Sequence, residues 1–130
     1  MIVVDATVVA TVLLDDGDQG QRARDRLSDE WLTAPELIDL EVASVLRRLC
    51  AGAQLDPARA AQALADLDDL RLERVPHRPL LRRCWELRHN VTVYDAAYVA
   101  LAEILDVTLL TADQRLTNSP GTTCTFELFQ

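Results

Sequence analysis

Apolar and polar positions follow two periods along this chain, and the elements they predict alternate. MIVVD is an unbroken apolar, β-branched run that ends on an acid, which predicts a short buried strand closing at Asp5. DDGDQG predicts a turn, residues 20–30 a polar helix, and Trp31 to Ala34 a brief strand or connector. Pro35 stands where a helix would begin, followed by ELIDLEVASVLRRLC and closed by Gly52. In DPARAAQALADLDDL, Asp56 is the expected N-cap and Pro57 the first helical residue. RLERV predicts a strand and PLLRRCWELR a helix. The stretch TVYDAAYVALAE has helical spacing at Ala97, Tyr98, Leu101, Ile104 and Leu105, which predicts a helix from about residue 95 to 105. DVTLLT and TCTFELF complete the series as strands.

Alternating strands and helices favour an α/β sandwich on a largely parallel sheet. The 130 residues fit one domain, 1–130, long enough to bury about two-thirds of the surface of the unfolded chain. No apolar run reaches membrane-spanning length, and the N-terminus lacks the basic segment and cleavage site of a signal peptide. Cys50, Cys84 and Cys124 are odd in number and lack CxxC spacing, which points to buried, reduced thiols and a cytoplasmic setting.

Charge narrows the partners. Asp and Glu outnumber basic residues 21 to 13, the net charge is −8, and every basic residue is Arg because the chain has no Lys. Overall charge therefore does not draw a polyanion to this protein, and any such ligand must be met locally. The local candidates are Arg22, Arg24 and Arg26; Arg47 and Arg48; and Arg82, Arg83 and Arg88, each of which also reads as an ordinary solvated helix face.

Four acids have unusual company. Asp5 follows directly on an apolar strand, and ligands of open α/β sheets bind at the carboxyl ends of strands. Its alternative role is that of a turn or cap residue. Glu41 lies at the margin of the apolar stripe Ile38, Val42, Val45, Leu46 and Leu49, where an unpaired charge costs several kcal/mol, roughly, unless a cation or donor meets it. Its alternative is a salt bridge to an Arg. Asp113 follows the strand VTLLT as Asp5 follows its own, with the N-cap of a short helix at Gln114 as the alternative, and Asp95 is equally readable as the N-cap of the helix it opens. Together, on a parallel sheet, Asp5 and Asp113 emerge at one edge where Asp95 can also lie. Four converging carboxylates repel one another and call for a hard divalent cation, Mg²⁺ or Mn²⁺.

The pieces IVVDATV, PELIDLEVASVLRR, YDAAYVALAE and LLTADQRL, in this order and spanning nearly the whole chain, resemble the PIN domain and specifically the VapC toxins of bacterial toxin–antitoxin pairs. The resemblance implies a three-layer α/β/α sandwich with a mainly parallel central sheet, and a metal-dependent ribonuclease that inhibits translation. It carries the family's acids onto Asp5, Glu41, Asp95 and Asp113, with Asp5, Asp95 and Asp113 as Mg²⁺ ligands and Glu41 holding or deprotonating the attacking water. Thr7 and Thr111 match polar positions that commonly support such a site by hydrogen bonding. The implied partners are a single-stranded or loop RNA substrate, a second copy of the chain in a homodimer, and a small VapB-type antitoxin whose basic side chain can enter the acidic pocket.

A response-regulator receiver domain shares the clustered aspartates and bound Mg²⁺, but it requires a Lys that this chain does not possess. A PIN-like binding module whose acids serve only as caps and ion pairs, and a free-standing PIN nuclease without an antitoxin, stay open at this point.

Overall fold

The computed structural model describes residues 1–130. Five strands, β1 (Ile2–Val4), β2 (Leu32–Pro35), β3 (Leu72–Val75), β4 (Leu109–Thr111) and β5 (Phe126–Leu128), form one sheet in the order β3-β2-β1-β4-β5. All four pairings are parallel. The chain builds outward from β1 to β3 on one side, then crosses to β4 and β5 on the other. The sheet therefore has its topological switch between β1 and β4, the place where open α/β sheets bind ligands. Asp5 and Asp113 follow these two strands.

The helices are α1 (Ala6–Leu14), α2 (Asp18–Leu27), α3 (Ile38–Ala51), α4 (Pro57–Asp69), α5 (Leu81–Glu86), α6 (Val93–Leu105) and α7 (Gln114–Thr117), with a 3₁₀ turn over Arg78–Leu80. Helix α1 packs with α2, α3 and α4, whereas α6 packs with α5 and against β1, β2 and β4. These two helix groups flank the sheet in the α/β/α arrangement that the resemblance implies, on the parallel sheet that the alternation of elements predicts. One apolar cluster joins the central strands to both groups; Val3, Val4, Val8, Val9, Leu109 and Leu110 are all buried in it. No helix is long and apolar enough to cross a membrane. Cys84 is buried, Cys50 and Cys124 are half-buried, and all three are free thiols.

Four local expectations are corrected. Helix α1 is absent from the predicted elements, because its run of Val and Thr has strand propensity; burial of Ala6, Val8, Val9, Ala10 and Leu13 decides the outcome instead. Pro35 ends β2 rather than opening a helix. It sits at the last ladder position, opposite Val75, where a missing N–H costs little. Helix α3 starts at Ile38, and the preceding Leu37 N–H donates to His77 Nε2 at 2.9 Å. Helix α6 is buried on all sides from Ala96 to Ala102, while Ile104 and Leu105, expected on its apolar stripe, are exposed.

Gly20 shows how tightly α2 docks. A Cβ there would lie 1.8 Å from the Asp15 carbonyl oxygen, so only glycine lets the helix approach the end of α1. Arg24 fixes the same corner by donating to the carbonyls of Val12 and Asp15 at 3.1 and 2.9 Å.

Candidate active site

At the carboxyl edge of the sheet the Asp5 N–H donates to the Leu110 carbonyl at 3.2 Å, tying the end of β1 to β4. Asp5 Oδ1 accepts from the Val8 N–H at 3.0 Å and so caps α1. Its other oxygen, Oδ2, accepts from the hydroxyl of Thr111. That hydroxyl is fully buried and in turn accepts from the Asp113 N–H at 3.0 Å. One threonine thereby fixes the side chain of Asp5 and the backbone of Asp113 at once. Asp113 Oδ1 accepts from the Arg115 N–H at 2.9 Å, the N-cap of α7 that the sequence suggests. Capping thus occupies only part of these carboxylates, since an ionised carboxylate has about four lone-pair sites and Asp5 and Asp113 use two and one of theirs.

Asp95 is not the cap of its helix. Thr92 holds that position and accepts from the Asp95 N–H at 3.0 Å, leaving the Asp95 carboxylate in the first turn of α6. Tyr98, one turn further on, is buried, and its hydroxyl donates to Glu41 Oε1 at 2.6 Å. The expected alternative for Glu41, an ion pair with Arg, is not formed; a phenol is its partner. Thr7 does not join the cluster, since it is exposed and its hydroxyl bonds none of the carboxylates.

The electrostatics link the acids in series. Burial pushes the Asp5 carboxyl above its usual range and the Asp95 charge adds to this, against the pull of Thr111 and the Val8 N–H. Burial likewise raises Glu41, Asp95 and Asp5 raise it further, and the Tyr98 hydrogen bond opposes them. Asp95 is raised by burial and by Asp113, with Thr92 and Arg115 pulling it down. Tyr98, buried and donating to a carboxylate, is held well above the ordinary tyrosine value. Asp5, Glu41 and Asp95 thus share one negative region in which their ionised forms are disfavoured until positive charge arrives.

No group of three or more acidic, His or Cys side chains converges to metal-binding distance. Mg²⁺ does not require one, because it is commonly held by one or two carboxylates while water completes its shell. The donors are all oxygen, they interact pairwise from Glu41 through Asp5 and Asp95 to Asp113, and the one cationic side chain acting on them is Arg115, at the Asp95 and Asp113 end. This donor set fits a hard divalent ion such as Mg²⁺ or Mn²⁺ and does not suit a soft metal.

Asp95 and Asp113 also line a cleft of about 500 Å³, together with Arg88, His89, Asn90, Arg115 and Ser119. Tyr98 and Thr92 escape the sequence pattern as site residues. Both leave a signal nonetheless: Tyr98 stands three positions after Asp95, and Thr92 opens a Thr-x-x-Asp capping pattern.

Residues 2–120 match the family model described as PIN domain. The chain is 44% identical over 127 residues to Ribonuclease VapC1 of Mycobacterium tuberculosis, covering 97% of this chain and 96% of that protein. Among solved structures, it superposes on M. tuberculosis VapC20, a sarcin–ricin loop cleaving toxin, with a TM-score of 0.71 at 17% identity, covering 95% and 97% of the two chains. It also superposes on VapBC2 of Rickettsia felis, solved with a DNA fragment from its promoter, with a TM-score of 0.70 at 14% identity and full coverage of both chains.

Proposed function

The chain belongs to the PIN-domain family, and on that premise we propose that it is a Mg²⁺-dependent endoribonuclease, the toxin of a type II toxin–antitoxin pair. The observation that carries the proposal is the carboxylate row at the β1/β4 switch, fixed by Thr111 at one end and by Tyr98 at the other. Asp5 and Asp95, with Asp113, are the residues that would hold the ion. The chemistry a bound Mg²⁺ supplies there is a lowered pKa for water and compensation of charge on the phosphate oxygens.

The remaining work falls to the chain. Tyr98 holds Glu41 Oε1, which leaves Oε2 free to accept the proton of the water that attacks the phosphodiester. Thr111 keeps Asp5 and Asp113 in fixed relation, so the attacking and leaving groups meet a preset arrangement. Single-stranded or loop RNA is the substrate class, since exposed bases and an accessible backbone can enter an open cleft. Cleavage of such RNA halts translation in the cell.

The partner is a small VapB-type antitoxin, and the acidic pocket suits a basic side chain from it. The VapC relatives and the structural likeness to VapBC2 of Rickettsia felis support this reading. A homodimer and a cytoplasmic setting belong to the same proposal. The separation of the acids is the one observation that favours a rival, a PIN-like module that binds without cutting. Purified protein decides between them: the nuclease cleaves RNA with Mg²⁺ or Mn²⁺ and stops when a chelator is added, whereas the module leaves RNA intact under every condition.

A further inference from the structure

We infer that the cleft beside the carboxylates is a track for the RNA strand next to the cut, in which Arg88, braced on Trp85, and Arg115 grip the phosphate adjoining the scissile one. The inference rests on the nuclease reading and adds residues to it. A polyanion approaching this chain meets a net charge of −8 and, in the cleft lining, Asp95 and Asp113. Repulsion by those two carboxylates has to be countered within the cleft, and its lining carries the means in Arg88 and Arg115.

Arg88 is set up for the task. Its guanidinium lies over the Trp85 ring, 4.4 Å from the centroid, and Nη1 donates to the Trp85 carbonyl at 2.9 Å. It forms no ion pair, in contrast to Arg26, Arg74 and Arg83, whose forks are taken up by Glu127, Asp39 and Glu103. A guanidinium fixed on one face by an aromatic ring keeps its remaining N–H groups free for a phosphate, with less rotamer entropy left to lose. Arg115 has an almost fully exposed side chain, and its Nε lies 3.8 Å from Asp113, which keeps it beside the acids without closing a tight pair. The cleft volume, about 500 Å³, is of the size that holds small organic ligands and suffices for a nucleotide.

The test uses the full chain carrying Asp95→Asn, which binds without cutting, and a fluorescein-labelled single-stranded RNA 12-mer of random sequence. Binding is followed by anisotropy across a NaCl series in Mg²⁺. Arg88→Gln and Arg115→Gln should each weaken binding about three- to tenfold and make the salt dependence shallower by about 0.7 in log K against log salt, the value for one phosphate contact on a single strand. Arg22→Gln, on α2 with the other helix group, should leave affinity and slope unchanged. Trp85→Ala should weaken binding in the parent but have no effect in the Arg88→Gln background, and Trp85→Phe should restore most of the loss. An unchanged slope in Arg88→Gln, an equal loss in Arg22→Gln, or a Trp85→Ala effect independent of Arg88 overturns the track. Cleavage of total RNA by the unsubstituted protein, run alongside, shows separately whether the nuclease reading stands.

Discussion

Tyr98 and Glu41 stand 57 positions apart and are joined by a 2.6 Å hydrogen bond from phenol to carboxylate. The bond spans α3 and α6, so it ties the helix that carries Asp95 to the one that carries the fourth acid. Glu41 is disfavoured as an anion by burial and by its neighbours, and Tyr98 is the one group that relieves it.

Tyr98→Phe should therefore act on titration as well as stability. Loss of a hydrogen bond to a charged group costs about 1.5–3 kcal/mol, read as a lowered urea midpoint. With its downward influence gone, Glu41 protonates at higher pH, and the acidic limb of the cleavage profile should move upward. A variant with reduced stability and an unmoved acidic limb would separate Glu41 from the proton transfer.

Thr111→Val keeps the shape of β4 while removing the hydroxyl that serves Asp5 and Asp113 together. The half-buried Asp113 N–H loses its acceptor and the Asp5 carboxylate its hydroxyl donor, and about 1–3 kcal/mol of stability should go with them. Cleavage should fall by at least about tenfold, because both acids lose their fixed relation. Thr111→Ser, which retains the hydroxyl, should recover most of that activity in the same assay.

Metal and pH should act jointly on melting. Asp5, Glu41 and Asp95 have pKa values raised in the folded state, so folding favours their protonated forms. The cost of ionising them is absent below the unfolded values of about 4 and fully present once pH exceeds the raised folded values. Mg²⁺ binds the ionised forms and competes with protons. Differential scanning should show a larger rise in Tm on adding Mg²⁺ at pH 8 than at pH 5, reversed by a chelator.

Gly20→Ala should destabilise without touching the chemistry. The added Cβ meets the Asp15 backbone, which cannot swing aside as a side chain would, and strain of this kind costs about 1–3 kcal/mol. Thermal melting should report the loss, while the folded fraction cleaves RNA at the ordinary rate.

Much of this arrangement is legible in the residues. Asp5 and Asp113 each follow a short apolar strand, and parallel pairing of β1 with β4 is enough to bring them to one edge. Glu41 declares the need for a partner by sitting at the margin of an apolar stripe. The identity of that partner is hidden, because Tyr98 on a buried helix reads as one more apolar residue until its hydroxyl is located in space. Asp95 reads as a cap because an acid at the start of a helix usually is one. Thr92, three residues earlier, takes the role through a hydroxyl that propensity alone does not rank above the acid. Thr7 shows the opposite case: a matching sequence position in the first turn of α1 that is exposed and whose hydroxyl bonds none of the carboxylates.

The correction at Asp95 makes the central claim cleanly testable. Since Thr92 caps α6, Asp95→Asn removes a charge from the carboxylate row and leaves the cap in place. The measurement is RNA cleavage in Mg²⁺ by the unsubstituted protein and by Asp95→Asn, each with its Tm. The account predicts chelator-sensitive cleavage by the first, its loss in the second, and a Tm without Mg²⁺ that is unchanged or slightly raised by Asp95→Asn. Full cleavage by Asp95→Asn, or cleavage by the unsubstituted protein that survives the chelator, would contradict it.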